Sequence, residues 1–171
     1  MATLHYLAFG SNLHPLRLGE RVPSARLVGR VELAGYRLVF HKRGQDGSGK
    51  GNLVRTEDGR GTAVAALFEI DAAERPALDA AEGPGYRTEA IRVAWGDRTM
   101  EAFIYLGETS HVDPGLRPFR WYRDLVWHGA RYHEASDAYL AQIAAVATIE
   151  DPDPERRARN EALVERIRAT G

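Results

Sequence analysis

The sequence predicts an α+β fold: a small mixed β-barrel or sheet with peripheral helices. Three observations carry this. Apolar segments of strand length, broken by Gly, Pro and Asn, fill the first two thirds of the chain. Helical spacing takes over in the last third. The order β-α-β-β-(loop)-β-α-β-β-ααα matches neither a strict βαβ alternation nor an all-β pattern.

The elements follow in order. Residues 4–9 (LHYLAF) read as a buried strand that stops at Gly10-Ser11-Asn12. His14-Pro15-Leu16 opens a short helix, with Asn12 or Leu13 near its cap and Pro15 in its first turn. Residues 25–41 alternate apolar and polar, as one long bent strand or two strands joined near Gly29 or Gly35. A Gly-rich loop, RGQDGSGKGN, comes next, and 61–70 (GTAVAALFEI) form another strand. Asp71 caps a helix over AAERPALDAAE that ends at Gly83-Pro84-Gly85. Tyr86–Trp95 and Thr99–Leu106 flank Gly96-Asp97 as a hairpin.

Beyond these, Pro118–Ala130 carries Phe119, Trp121, Tyr122, Leu125 and Val126 at helical spacing. Ser136 caps the next helix. Asp153 and Pro154 start the last, whose apolar stripe of Leu163, Val164 and Ile167 predicts a surface position. Residues 1–150 read as one domain, with 151–171 a C-terminal surface helix of the same domain.

Composition narrows the function. The 171 residues are 44% hydrophobic and 27% charged, with a formal net charge of −1. That lacks the basic excess of a nucleic-acid module, so no nucleic acid is expected. No apolar run approaches membrane-spanning length, and the start lacks the basic and apolar regions of a signal peptide. No membrane partner and a cytoplasmic location are the expectation. The absence of cysteine removes disulfides, thiolate nucleophiles and cysteine-based metal sites.

Several motifs fail on inspection. Gly44–Lys50 reads G-x-x-x-x-G-K, but Gly51 stands where a P-loop needs Ser or Thr. The following NLVRTED reads as strand, so no helix N-terminus waits for a phosphate. The segment is a hairpin loop or a flexible lid. The six histidines form no HExxH pattern and no ligand cluster. The five serines form no G-x-S-x-G elbow.

Two features remain. Glu82 ends an apolar helix, where the helix dipole disfavours negative charge. Most acids there are solvated; one tucked against Ala77, Leu78 and Ala81 has its pKa raised by desolvation, as a general base requires. Gly10-Ser11-Asn12 is either a strand-to-helix turn or a nest whose N–H groups converge on an anion. Composition does not separate the two.

Taken together, the chain resembles the γ-glutamylcyclotransferase-like family, its bacterial members in particular. The resemblance rests on Tyr6–Leu13 (YLAFGSNL), on Pro23–Arg26 leading into Gly35–Phe40 (GYRLVF), and on Asp46–Asn52 (DGSGKGN). It continues in Leu78–Gly83 (LDAAEG) with Gly85-Tyr86, Tyr105 in Phe103–Leu106, Tyr122 in Pro118–Tyr122 and Gly129-Ala130. It covers roughly residues 4–147. Many members have Tyr where Phe9 stands here.

The resemblance implies a γ-glutamylcyclotransferase-like fold and a cofactor-independent enzyme that uses no metal. A small-molecule γ-glutamyl amide closes on itself, giving 5-oxoproline and a free amine or amino acid. It makes Glu82 the acid/base. It implies that Leu7, Ala8, Phe9, Gly10, Ser11 and Asn12 hold the substrate with main-chain N–H groups, and that Tyr105 hydrogen-bonds the substrate or Glu82, with Tyr122 near the pocket. For both tyrosines core packing is the alternative. Gly47, Ser48, Gly49, Lys50 and Asn52 form a possible lid, on which reading Gly49→Pro harms activity more than stability. A non-catalytic binding domain on the same fold is the alternative function. The leaving group and the oligomeric state are left open.

Overall fold

The computed structural model describes residues 2–170. Five strands form one mixed sheet: β1 (Thr3–Ala8), β2 (Arg26–Ala34), β5 (Thr62–Asp71), β6 (Tyr86–Trp95) and β7 (Arg98–Gly107). Their order is β2-β5-β1-β7-β6, with β1 and β7 parallel and the other neighbours antiparallel. The sheet curls until its edge strands β2 and β6 approach each other. A separate antiparallel pair, β3 (Tyr36–Arg43) and β4 (Gly49–Arg55), completes the α+β architecture.

Side-chain alternation divides the core. In β5, Ala63, Ala65 and Leu67 face one cluster with Leu7, Leu53 and Ile104. Val64, Ala66, Phe68 and Ile70 face the other, with Tyr6 and the helices. A strand covered on both faces needs a continuous apolar run, which is why GTAVAALFEI shows little alternation. The helices are α1 (Pro15–Arg21), α2 (Arg75–Glu82), α3 (Arg120–Tyr132), α4 (Asp137–Ala144) and α5 (Pro154–Ala169). Leu125, Val126 and Ala130 of α3 are buried in the second cluster together with Leu163, Val164 and Ile167 of α5. None of the described helices is long and apolar enough to cross a membrane.

Several caps stand where the side-chain chemistry expects them. Asp71 accepts from the Ala73 N–H ahead of α2, Ser136 caps α4, and Asp153 accepts from Glu155 and Arg156 N–H groups. The cap of α1 differs. His14 Nδ1 accepts from the Leu16 N–H at 3.1 Å, which frees the Asn12 side chain for another partner.

The 44–52 segment also differs from a free loop. Gly49, Lys50 and Asn52 belong to β4, while Ser48 and Asn52 are buried. The tight turn is held by Asp46, which accepts from Ser48 N–H and Oγ–H and pairs with Lys50 Nζ at 2.8 Å. Gly49 N–H donates to the Arg117 carbonyl at 2.9 Å, and a Cβ on Gly49 would stand 2.3 Å from the Phe40 oxygen. Proline there removes the donor and collides with backbone. Residues 49–52 thus stand in a paired strand and not in a free loop, and Gly49→Pro is expected to strike stability first, in place of the activity-first effect expected above.

Candidate active site

Strand β1 ends at Ala8 and the chain reverses at Gly10–Leu13, where Leu13 N–H donates to the Gly10 carbonyl at 3.2 Å. Gly10-Ser11-Asn12 thus forms a turn, but with His14 and not Asn12 as the cap of the helix that follows. No acceptor meets the Ser11 and Asn12 N–H groups among the described residues. The turn rests on α3 at Gly129, where a Cβ would lie 2.6 Å from Leu13 Cβ. Glu82 arrives from the other side, as the last residue of α2 before Gly83, whose φ of 75° suits glycine.

The two segments meet through side chains. Asn12 Nδ2 donates to Glu82 Oε1 at 2.9 Å and lies 3.2 Å from the Tyr6 hydroxyl. Arg21 donates to Asn12 Oδ1 at 3.1 Å. Burial pushes the Glu82 carboxyl up; Arg21, Lys42, Arg17 and a hydrogen bond from Tyr6 pull it back. Desolvation wins because protein surrounds Glu82 while its cations stand off. Lys42 donates to the Pro84 carbonyl at 2.7 Å and lies 4.0 Å from the Tyr86 ring centre. Its own burial lowers its pKa to about 8.

Two connected cavities open here. A narrow inner recess is bounded by Tyr6, Phe9, Gly10–Asn12, Tyr86 and Tyr105. An outer chamber of about 480 Å³ shares Ser11, Glu82, Tyr86 and Tyr122 with it. Tyr122 accepts the Gly51 N–H at 2.9 Å, which leaves its own proton to donate. Burial pushes its pKa up to about 12, so it keeps that proton. Tyr86 donates to the Gly51 carbonyl at 2.6 Å.

Of the residues expected at a site, Phe9, Gly10, Ser11, Asn12, Glu82, Tyr105 and Tyr122 border these cavities, as does Lys50. Leu7 and Ala8 do not: they lie within β1, paired with Leu67 and Ala66, and their side chains are core. Gly47, Ser48, Gly49 and Asn52 also lie off the cavity walls; Asn52 instead accepts the Gly107 N–H at 2.8 Å. The Tyr105 hydroxyl donates to Asp79 on α2, not to Glu82. Asn12 meets Glu82 with its side chain, a role beyond its main chain.

Residue types and order match a known family. Residues 6–124 fit the family described as gamma-glutamyl cyclotransferase, AIG2-like. The chain belongs to this family. In overall fold the cyclotransferase-family chain is similar to a solved structure named gamma-glutamyl cyclotransferase. The TM-score is 0.80 at 18% identity, over 96% of this chain and 99% of that one. The uncharacterized protein loc79017 from Homo sapiens gives a TM-score of 0.80 at 20% identity, with the same coverage. YkqA from Bacillus subtilis gives 0.66 at 18% identity, over 87% of this chain and 57% of its own. No curated protein matches by sequence.

The sequence reading missed the cations. Arg17 and Arg21 of α1, and Arg156 and Arg159 of α5, line the outer chamber. Their spacings, four and three residues, put each pair on one helix face and were the available signal. Tyr6 and Tyr86 were missed as pocket residues, since both read equally well as core. Among the described residues no three His, Asp or Glu side chains gather as a metal-binding group.

Proposed function

We propose that this family member cyclises a γ-glutamyl amide to 5-oxoproline and releases an amine or amino acid, with Glu82 as the proton carrier. The observation that supports this most is the 2.9 Å hydrogen bond that sets Glu82 against the Gly10-Ser11-Asn12 turn. It puts a carboxylate of raised pKa beside two unengaged N–H groups at the mouth of a recess.

In this reading the Ser11 and Asn12 N–H groups receive the α-carboxylate or the δ-carbonyl oxygen. Glu82 takes a proton from the α-ammonium. The freed amine attacks the δ-carbonyl carbon, closing a five-membered ring. The amide C–N bond breaks as the departing nitrogen gains a proton. Two protons leave the attacking nitrogen in all, and both end on the departing one. An ordinary Glu near 4.3 and an α-amine near 8 differ by about 4 units, or about 5 kcal/mol. Burial of Glu82 narrows that gap. Because the reaction is intramolecular, holding the folded substrate supplies much of the acceleration.

The test is 5-oxoproline release from a panel of γ-glutamyl amino acids and amines by the wild type and Glu82→Gln. Product from the wild type alone supports the assignment. Product from both removes Glu82 as the base. No product from either folded protein favours a binding domain on the same scaffold.

A further inference from the structure

The outer chamber is strongly cationic, and only part of its charge is matched by ion pairs. Lys50 pairs with Asp46 at 2.8 Å. Arg156 grips Asp151, whose side chain is fully enclosed and also accepts the Trp121 indole N–H at 2.9 Å. Arg21 has no carboxylate within 4.0 Å among the described residues; it donates to Asn12 Oδ1 at 3.1 Å and is the foremost positive neighbour of Glu82. Arg17 and Arg159 have no carboxylate partner within 4.0 Å among the described residues.

Arg17 is the more telling of the pair. Its Nη1 donates to Asn160 Oδ1 at 3.2 Å, and Asn160 is itself fixed by donating to the Arg156 carbonyl at 2.9 Å. Its Nε is buried with no acceptor. A guanidinium donor left dry and unmatched costs free energy, so Arg17 stands at the chamber wall short of a full set of acceptors. Arg159 stands one residue from Asn160 on α5, exposed at the chamber wall.

The α-carboxylate and α-ammonium of a γ-glutamyl group cancel each other, and the Ser11 and Asn12 N–H groups beside Glu82 receive that half in the reading above. Arg21 sits with Asn12 beside Glu82, and Arg17 and Arg159 are then left to the half that departs. Resting on the cyclotransferase reading above, we propose that the leaving group is a dianion, held by Arg17 of α1 and Arg159 of α5. Two chemistries meet this description: a dicarboxylic amino acid and a phosphomonoester amine. Both present oxygens that fit the guanidinium fork. Arg17 lies inside the 6–124 span matched to the family, whereas Arg159 of α5 lies beyond it.

The experiment compares four substrates: γ-glutamylglutamate, near-isosteric γ-glutamylglutamine, γ-glutamylphosphoethanolamine and γ-glutamylethylamide. One dianion should exceed its less charged counterpart at least about tenfold in kcat/KM, the change lying in KM. Whichever dianion wins names the source. The advantage should fall to within about twofold in Arg17→Gln and Arg159→Gln, and at about 1 M salt, where the Debye length is about 3 Å. It should survive Arg166→Gln, which lies off the chamber and pairs with Glu20. Equal kcat/KM for each dianion and its less charged counterpart overturns the proposal while the cyclotransferase reading stands. If no compound yields 5-oxoproline, that reading fails instead. Calorimetric binding of the same four then decides: tighter dianion binding that is lost in Arg159→Gln supports charge selection, and equal or absent binding overturns it.

Discussion

Asn12 and Glu82, 70 positions apart in the chain, are joined by a 2.9 Å hydrogen bond from the Asn12 amide to Glu82 Oε1. The same amide group accepts from Arg21 through Oδ1. Asn12 thus sets the carboxylate's position and relays one of the cations that face it. Asn12→Ala is expected to lower kcat by up to about 100-fold through misplacement of Glu82. KM should change less, and the acid limb of the pH profile should move. An unchanged limb with a normal kcat would show that Glu82 holds its position without Asn12.

Glu82 carries a folded-state pKa above its ordinary value of 4.5. The native state therefore holds this proton more tightly than the unfolded chain does. Ionisation above pH 4.5 then works against folding. Glu82→Gln should be more stable than the wild type at pH 7, with a higher Tm. The difference should shrink to nothing as the pH falls below 4.5. Thermal melts of both proteins from pH 4 to 8 measure this, and a less stable variant at pH 7 would contradict the burial argument.

Gly129 lies inside α3, where alanine ordinarily gains about 1 kcal/mol of helix propensity. Its Cβ, however, would stand 2.6 Å from Leu13 Cβ and 3.3 Å from the His14 nitrogen. Overpacking of that kind costs about 1–3 kcal/mol. Gly129→Ala is expected to lose stability on balance and to lower activity, because the strain is relieved by moving the turn that carries Asn12. A rise in Tm with full activity would mean that the turn yields freely.

Asp151 accepts two hydrogen bonds from Arg156, one from Trp121 Nε1 and one from Asp153 N–H. The Arg156 guanidinium holds its carboxyl far below the ordinary 3.8. The stabilisation is complete above pH 3.8 and fades as acid protonates the native carboxylate. Asp151→Asn should cost about 1.5–3 kcal/mol at pH 7. Denaturant titrations at pH 7 and pH 3 should show that penalty shrinking at the lower pH.

How much of this was legible in the sequence depends on the range of the interaction. The strands, their breaks, the Asp71, Ser136 and Asp153 caps and the Glu82 position follow from local patterns. Hydrophobic alternation, capping chemistry and glycine turns act over a few residues, so the chain spells them out. The Gly-rich 44–52 stretch misled because its composition is that of a loop. Only the tertiary structure shows β4 pairing there, where Gly49 is required by the Phe40 and Arg117 backbone.

The sequence by itself determined the fold class, the family pattern and the identity of a carboxylate at the end of α2. Tertiary structure decided which groups surround that carboxylate. His14, not Asn12, caps α1; Tyr105 turns to Asp79; Arg17 meets Asn160 from 143 positions away. The physical reason is that charge and hydrogen-bond partners are chosen by distance in space. Arginines on two helices far apart in the chain share a chamber only after both helices have packed against the same core.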